Sequence, residues 1–442
     1  MYSTFVGLET ARRALYAQRA AIDITGHNIS NVNTPGYRRQ RPVIEATPPA
    51  PGALQPGTGV KVAGIERMRD QFVDTQIRHT LASLGRWEAR QEILEEIQEV
   101  FKEPSDIGIS AMMDRFWISW QELSGNATDP GRRTSVQQEA ISLASAFNLA
   151  AAQLNETKAD IDQNIKLLVH RVNTTASSIA ELNREIVRGN VVGENVADLL
   201  DRRDYLVQQL ASDVDVAVAE DNSGLVHVTV GGRILVAGTD ARELAEDALI
   251  TGGRIKGLNE AANMIIPGYL KELDDLANAL IEKINEQHMA GYDLFGNSGG
   301  VFFEGEGAAG IRLSEEIEGN PGLIAAADQT DSPGNGRNAL AMAQLKDGLT
   351  MVGGTATFRD FYGSILTGLG LETQESMRSR EVYEGVLEQQ KARQESVSGV
   401  SLDEEMIMLI KYSSAFDAAA RLVTAVDEML DRLINGTGLV GR

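Results

Sequence analysis

Apolar residues recur every seven positions near the C-terminal end of the chain, at Leu402, Leu409, Phe416, Val423 and Leu430. Tyr412, Ala419, Val426 and Leu433 each follow a member of that series by three. A seam of period 3.5 predicts a helix that packs lengthwise against other helices. Ser401 and Glu404 have the spacing of a capping box, and Asp403 adds negative charge at the positive end of the helix dipole. Asn435-Gly436 marks the stop, because Gly can take the left-handed conformation that closes a helix. Roughly 35 residues in this form make a rod ~50 Å long.

The other end of the chain repeats the pattern. Leu8, Leu15, Ile22 and Ile29 are also spaced by seven, with Ala11, Ala14 and Ala21 beside them. Thr4 is a candidate cap for a helix that reaches Asn28. Residues 1–45 carry six arginines against three acids, whereas residues 401–442 carry seven acids against four basic residues. Two complementary amphipathic helices at opposite ends predict a pair that meets in the fold or in an assembly. Small residues dominate the N-terminal helix, so its own buried area is modest. It is expected to order only when neighbours complete the interface.

Between these ends the period changes several times. Thr34-Pro35-Gly36-Tyr37 predicts a type II turn, with Pro35 fixing φ and Gly36 taking φ > 0. Residues 42–59 hold Pro42, Pro48, Pro49, Pro51 and Pro56 and predict a semi-extended connector. Val60–Met68 reads as a short strand. Helical periods follow over Asp70–Phe101, Ile109–Leu123, 132–188 and Val196–Leu210. Trp117 and Trp120, at i and i+3, are expected in the core. The run 132–188 has neither Pro nor Gly and exceeds an ordinary globular helix, which points to long antiparallel bundle helices or a coiled coil.

At Val214 the period becomes two. Val214, Val216 and Val218, then Val226, Val228 and Val230, then Ile234 and Val236 alternate with polar neighbours. Asn222-Ser223-Gly224 and Gly231-Gly232 separate them, giving a β-meander. Leu249–Leu258 offers a second hairpin. Helical periodicity returns over Pro267–His288 and Phe358–Val397, while 291–354 is Gly-rich and acidic with no clean period. The expected fold is mainly α with a small β domain (α+β), and nested. Residues 1–41 and 398–442 form an inner coiled-coil domain, 60–212 and 261–397 a long-helix middle domain, and 213–260 a β-rich outer insertion.

Composition narrows the function. A net charge of −22 argues against nucleic acid and against an anionic membrane surface. The chain has no cysteine, so disulfides, thiolate nucleophiles and Cys-based metal sites are excluded. No apolar run approaches membrane-spanning length and no cleavable signal pattern is present, so any export would use a route without one. The five histidines are scattered, and no metal or phosphate motif occurs. Gly305–Gly310 fits GxGxxG, but a strand-like stretch follows it and Glu306 would repel a phosphate. Acid pairs such as Asp213/Asp215 and Glu315/Glu316 read as solvated surface. No catalytic, cofactor or metal site is expected, and no cofactor.

Asn28–Tyr37 resembles the N-terminal signature of the bacterial flagellar axial proteins, which build rod, hook and hook–filament junction. Arg38-Arg39-Gln40, Asp198–Asp204 and Ser398–Glu405 resemble the junction branch of that family. Arg38 stands where a small polar residue is usual, and the chain is short for that branch, which puts any large outer domain in question. The resemblance implies a structural subunit that self-assembles in a ring or helical array. Its neighbours would be hook protein and the next junction protein toward the filament. It also implies terminal helices lining a central channel, type III export to the cell exterior, and an export chaperone on the C-terminal helix. Leu402, Leu409, Tyr412, Phe416, Val423 and Leu430 would carry assembly with Leu8, Leu15, Ile22 and Ile29 as partners, and Thr34, Pro35, Gly36 and Tyr37 would set the angle to the next domain. Hook or distal-rod protein is the alternative within the family. A secreted cell-wall hydrolase with a coiled-coil anchor is the alternative outside it.

Overall fold

The computed structural model describes residues 5–49, 57–221, 223–245 and 248–436, with the backbone alone at residues 5, 6, 433 and 436. Thr4, Pro51, Pro56, Asn222 and the Leu433 side chain lie outside the described residues. The protein is mainly α with small antiparallel sheets. Helix α1 (Phe5–Ser30) leads into strands β1 (Gln40–Ala46) and β2 (Val60–Arg67). Helices α2 (Gln71–Phe101), α3 (Ile109–Gly125), α4 (Pro130–Val192) and α5 (Ala197–Asp213) follow. Strands β3 (Val216–Glu220), β4 (Val226–Val230), β5 (Arg233–Ala237) and β6 (Asp240–Ala241) form one antiparallel sheet in sequence order. Helix α6 (Arg254–Glu260) passes through a π-helical turn into α7 (Ile266–Met289). The short elements β7 (Phe303–Glu304), α8 (Gly307–Gly310), β8 (Arg312–Leu313), α9 (Glu315–Gly319) and α10 (Arg337–Gln344) precede the long helices α11 (Phe358–Ser398) and α12 (Leu402–Gly436).

The chain divides into two compact units. The first comprises residues 1–82, 171–251 and 383–442, and the second 83–170 and 252–382. In the first unit, the β-meander buries Val226, Val228 and Val230, the alternate residues of β4. Asn183 of α4 pins the sheet by donating to the carbonyls of Val226 (2.9 Å) and Gly238 (2.7 Å). Buried amide groups of this kind are stable only when paired.

In the second unit, Phe116, Trp117 and Trp120 of α3 are buried, and Phe302 and Phe303 lie within 5.4 Å and 5.8 Å of their rings. The irregular stretch after α7 is held by side chains. His288 is fully buried, with Nδ1 2.7 Å from the Gly300 carbonyl and Nε2 accepting from the Ala325 N–H at 2.9 Å. Burial pushes the His288 pKa down to about 4. Arg133, also buried, donates to the carbonyls of Ala127 (2.8 Å) and Ile324 (2.6 Å).

Two local expectations fail. Residues 42–46, assigned to a connector, belong to β1, which pairs antiparallel with β2 and sets Pro42 opposite Ile65. A two-stranded ribbon tolerates a residue without an N–H, and the pairing shifts register right after, between Val43 and Ile44. The second hairpin at 249–258 is absent; helix starts at Arg254 instead. Gly257 lets that helix seat closely on α2, since a β-carbon there would lie 2.3 Å from the Arg86 carbonyl.

Candidate functional site

Helices α1 and α12 pack against each other along their lengths. They run antiparallel. A β-carbon on Gly7 would stand 3.9 Å from Val426 Cγ2, while Asn28 at the other end of α1 bonds Glu405 at 3.0 Å. The pair therefore forms within one chain. The buried apolar residues of the two helices are Ala11, Ala17, Ala21 and Ile24 on α1, which also packs on β1 and β2, and Ala419 and Val426 on α12. Small side chains let the two backbones approach closely.

The seven-residue series singled out in the sequence flanks these buried residues. Leu8, Leu15, Ile22 and Ile29 are half-buried on α1, and Leu409, Tyr412, Phe416, Val423 and Leu430 are half-buried on α12. Leu402 is exposed. The outward face of α12 carries apolar residues that lie outside the seven-residue series named above: Met406, Ile407, Ile410, Leu422 and Met429, with Ile407 65% and Ile410 63% exposed. The available signal was the unbroken apolar run Met406–Ile410, longer than a one-sided helix requires.

The corner after α1 is built from side-chain bonds. Tyr37 N–H closes the turn on the Thr34 carbonyl at 3.1 Å, and Gly36 takes φ 79°. Thr34, Pro35 and Gly36 are exposed and Tyr37 is half-buried. Asn28 Oδ1 accepts from Tyr37 Oη (2.7 Å) and the Gln40 N–H (3.0 Å), while its Nδ2 donates to the Gln40 carbonyl and to Glu405. Every polar position of the amide is thus used. Burial, then Asp198, Asp201 and Glu405, push the Tyr37 hydroxyl pKa up.

The separate sequence signatures converge here. Arg38 is buried and donates to Asp74 (2.6 Å) and Ser398 Oγ (3.3 Å), and its backbone N–H donates to Asp201 (3.0 Å). Arg39 reaches Glu405 (2.7 Å) and Glu404 (2.6 Å). Gln40 reaches Asp198 at 2.7 Å. Arg67 bonds Asp201 (2.7 Å) and Asp204 (3.0 Å), and Arg69 bonds Asp74 (2.8 Å). Burial pushes the Asp201 carboxyl up to about 6, against the pull of Arg67. Burial would also raise Asp74, but Arg38 and Arg69 outweigh it and hold that carboxyl below its usual range. The capping box at α12 is correspondingly altered. Ser401 Oγ accepts from the Glu404 N–H at 3.5 Å, but the Glu404 carboxylate is drawn to Arg39.

Among the described residues no cluster of three or more His, Cys, Asp or Glu could hold a metal ion. No described helix is long and apolar enough to cross a membrane.

Comparison with known proteins fits this arrangement. The profile "Flagella basal body rod protein" matches residues 8–38, and "Flagellar basal body rod FlgEFG protein C-terminal" matches 394–436. These are the two ends that pair. "Flagellar hook-associated protein FlgK helical domain" matches 94–249 and 244–303. The chain is 33% identical over its full length to the full-length flagellar hook-associated protein 1 of Bacillus subtilis. It is 25% identical to the protein of that name from Escherichia coli, covering 97% of this chain and 99% of the relative. The hook junction protein FlgK of Burkholderia pseudomallei superposes with TM-score 0.65 over 73% of this chain and all of that one. At 16% identity that match speaks to the fold alone.

The two ends match the rod-protein models and the helical stretch between them in sequence matches the FlgK helical domain, which together mark a flagellar axial protein. The chain belongs to the flagellar hook-associated protein 1 family. Members of that family are structural proteins of the hook–filament junction, and this chain is a structural protein of that kind.

Proposed function

We propose that this subunit assembles with its own copies, in a ring or helical array, to join the hook to the filament. The α1–α12 pair is its inner part, and the outward face of α12 is the contact surface. The observation that carries this reading is the α12 face itself: Ile407 and Ile410 remain exposed while α1 occupies the opposite side of the helix. An apolar strip of this size is an aggregation hazard on a free chain and needs a cover. Neighbouring copies supply it after assembly, and an export chaperone supplies it before. Burying several such side chains contributes several kcal/mol per subunit at about 25 cal/mol per Å². Repetition of one head-to-tail contact then builds the array.

Leu402, Leu409, Tyr412, Phe416, Val423 and Leu430 contribute from the flank, with Leu8, Leu15, Ile22 and Ile29. Hook protein lies on one side and the next junction protein on the other. The chain leaves the cell without a cleaved signal peptide, and its role is structural, with no enzymatic step. The nested plan assigned from the sequence belongs to the same proposal, with its β-rich outer part ending at residue 251, because α6 begins at Arg254. Leu409→Asp with Phe416→Asp should abolish assembly while the β-meander stays folded. Unchanged assembly would remove the seam from the account.

A further inference from the structure

The ionic node beside the corner is larger than a turn needs. Arg38 comes from the corner, Arg67 and Arg69 from the end of β2, Asp74 from the start of α2, Asp201 and Asp204 from α5, and Gln394 and Ser398 from the end of α11. All of these lie in the first unit. The side chains of Arg38, Asp74, Arg67, Asp201 and Asp204 are each at most 9% exposed. Asp74 alone receives Arg38 at 2.6 Å, Arg69 at 2.8 Å and Gln394 at 2.7 Å.

We infer that this node is a conformational lock. It fixes one angle between the α1–α12 pair and the β-meander side of the unit, and Arg38 is its key. The physical ground is the difference between apolar and ionic contacts. Apolar contact is non-directional, so a shifted interface can bury a similar area. A buried carboxylate cannot shift without losing a charged partner in a low-dielectric setting. The corner enters the node through both the Arg38 guanidinium and the Arg38 backbone N–H, which reach α2 and α5 respectively. Rotation of the corner would break both together. The turn Thr34–Tyr37 is exposed over most of its length, so it directs the chain but does not hold it. A small residue at position 38 would leave Asp74 to Arg69 and Gln394 and would remove the corner's side-chain hold on α2, leaving its backbone bond to Asp201. The inference deepens the proposed role of the corner, and its test does not depend on assembly.

The chain lacks cysteine, so two introduced cysteines can carry spin labels without background. Ile407→Cys on α12 and Leu249→Cys near the β4–β5 turn are both exposed and both in the first unit. Pulsed electron resonance on the full chain would read the distance between them. The parent should give one narrow distribution, unchanged in 1 M salt because the network is buried. Arg38→Ser should at least double its width. Arg38→Lys keeps the charge and the fold but loses the fork that reaches Asp74 and Ser398 together, so it should broaden the distribution as well. Should Arg38→Ser fail to fold, Arg38→Lys decides alone. A distribution as narrow as the parent's in Arg38→Lys would overturn the lock.

Discussion

Asn28 and Glu405, 377 positions apart in the chain, meet through a 3.0 Å hydrogen bond from the Asn28 amide to the Glu405 carboxylate. That bond joins the end of α1 to the first turn of α12 and fixes the register of the pair. Asn28→Ala would leave the Tyr37 hydroxyl and the Gln40 N–H without their acceptor. The expected loss is ~2–4 kcal/mol, read as a lower unfolding midpoint of the full chain. A change within experimental error would mean that water replaces the amide at no cost.

Gly36 tests the corner from another side. Its φ is 79°, and a β-carbon there would lie 2.8 Å from Tyr205 Cβ. Gly36→Ala combines backbone strain with a clash and should destabilise the chain by roughly 1–3 kcal/mol. Adding Tyr205→Ala removes the ring atoms that would lie 3.1 Å away but keeps the β-carbon, so it should recover only the ring's share of that loss. No recovery would place the effect in the backbone and the β-carbon contact.

His288 gives the second unit a pH dependence. Its folded pKa lies near 4, below the ordinary value of 6.5, because burial disfavours the imidazolium. A lowered folded pKa means the neutral form is favoured by folding. The stability it contributes is fully present above pH 6.5 and is lost as pH falls from there toward pH 4. The loss is at most about 3 kcal/mol. Urea unfolding midpoints across that range should fall in the parent, and His288→Gln should flatten the fall. An equal slope in both would move the acid sensitivity elsewhere.

Much of the helical scaffold was legible in the sequence. The unbroken apolar period of 132–188 announced α4, and the valine alternation announced β3 to β5. The terminal pairing was legible from matching spacings and opposite charge. Which residues line the pair was not. Ala11, Ala17, Ala21 and Ala419 are the buried small residues of the two helices, and alanines give almost no signal in a hydrophobic pattern. The larger leucines draw attention but sit on the flank. The ionic node was hidden for a different reason. Arg38, Asp74 and Asp201 are far apart in sequence; the stretches holding Arg38 and Asp201 stood out as signatures, but nothing in their spacing shows that they meet, and Asp74 gave no signal. The stretch after His288 was unreadable because Arg133 and His288 hold it through backbone groups, which leave no periodic trace.

The outward face of α12 is the most exposed part of the account. Ile407→Asp with Ile410→Asp leaves the buried Ala419 and Val426 untouched, so the chain should fold. Placed in cells without the parent gene, it should fail to assemble. The same face is where the chaperone would sit, so variant chain found in the medium would assign the failure to contact between copies, and variant chain retained in the cell would assign it to export.

The direct measurement is electron microscopy of those cells, with the medium assayed for filament protein. Complete hooks without filaments, with filament protein lost to the medium, are expected both in the deletion and in the Ile407→Asp, Ile410→Asp cells. Normal filaments on the variant cells would contradict the α12 contact surface, and normal filaments on the deletion cells would contradict the junction role itself.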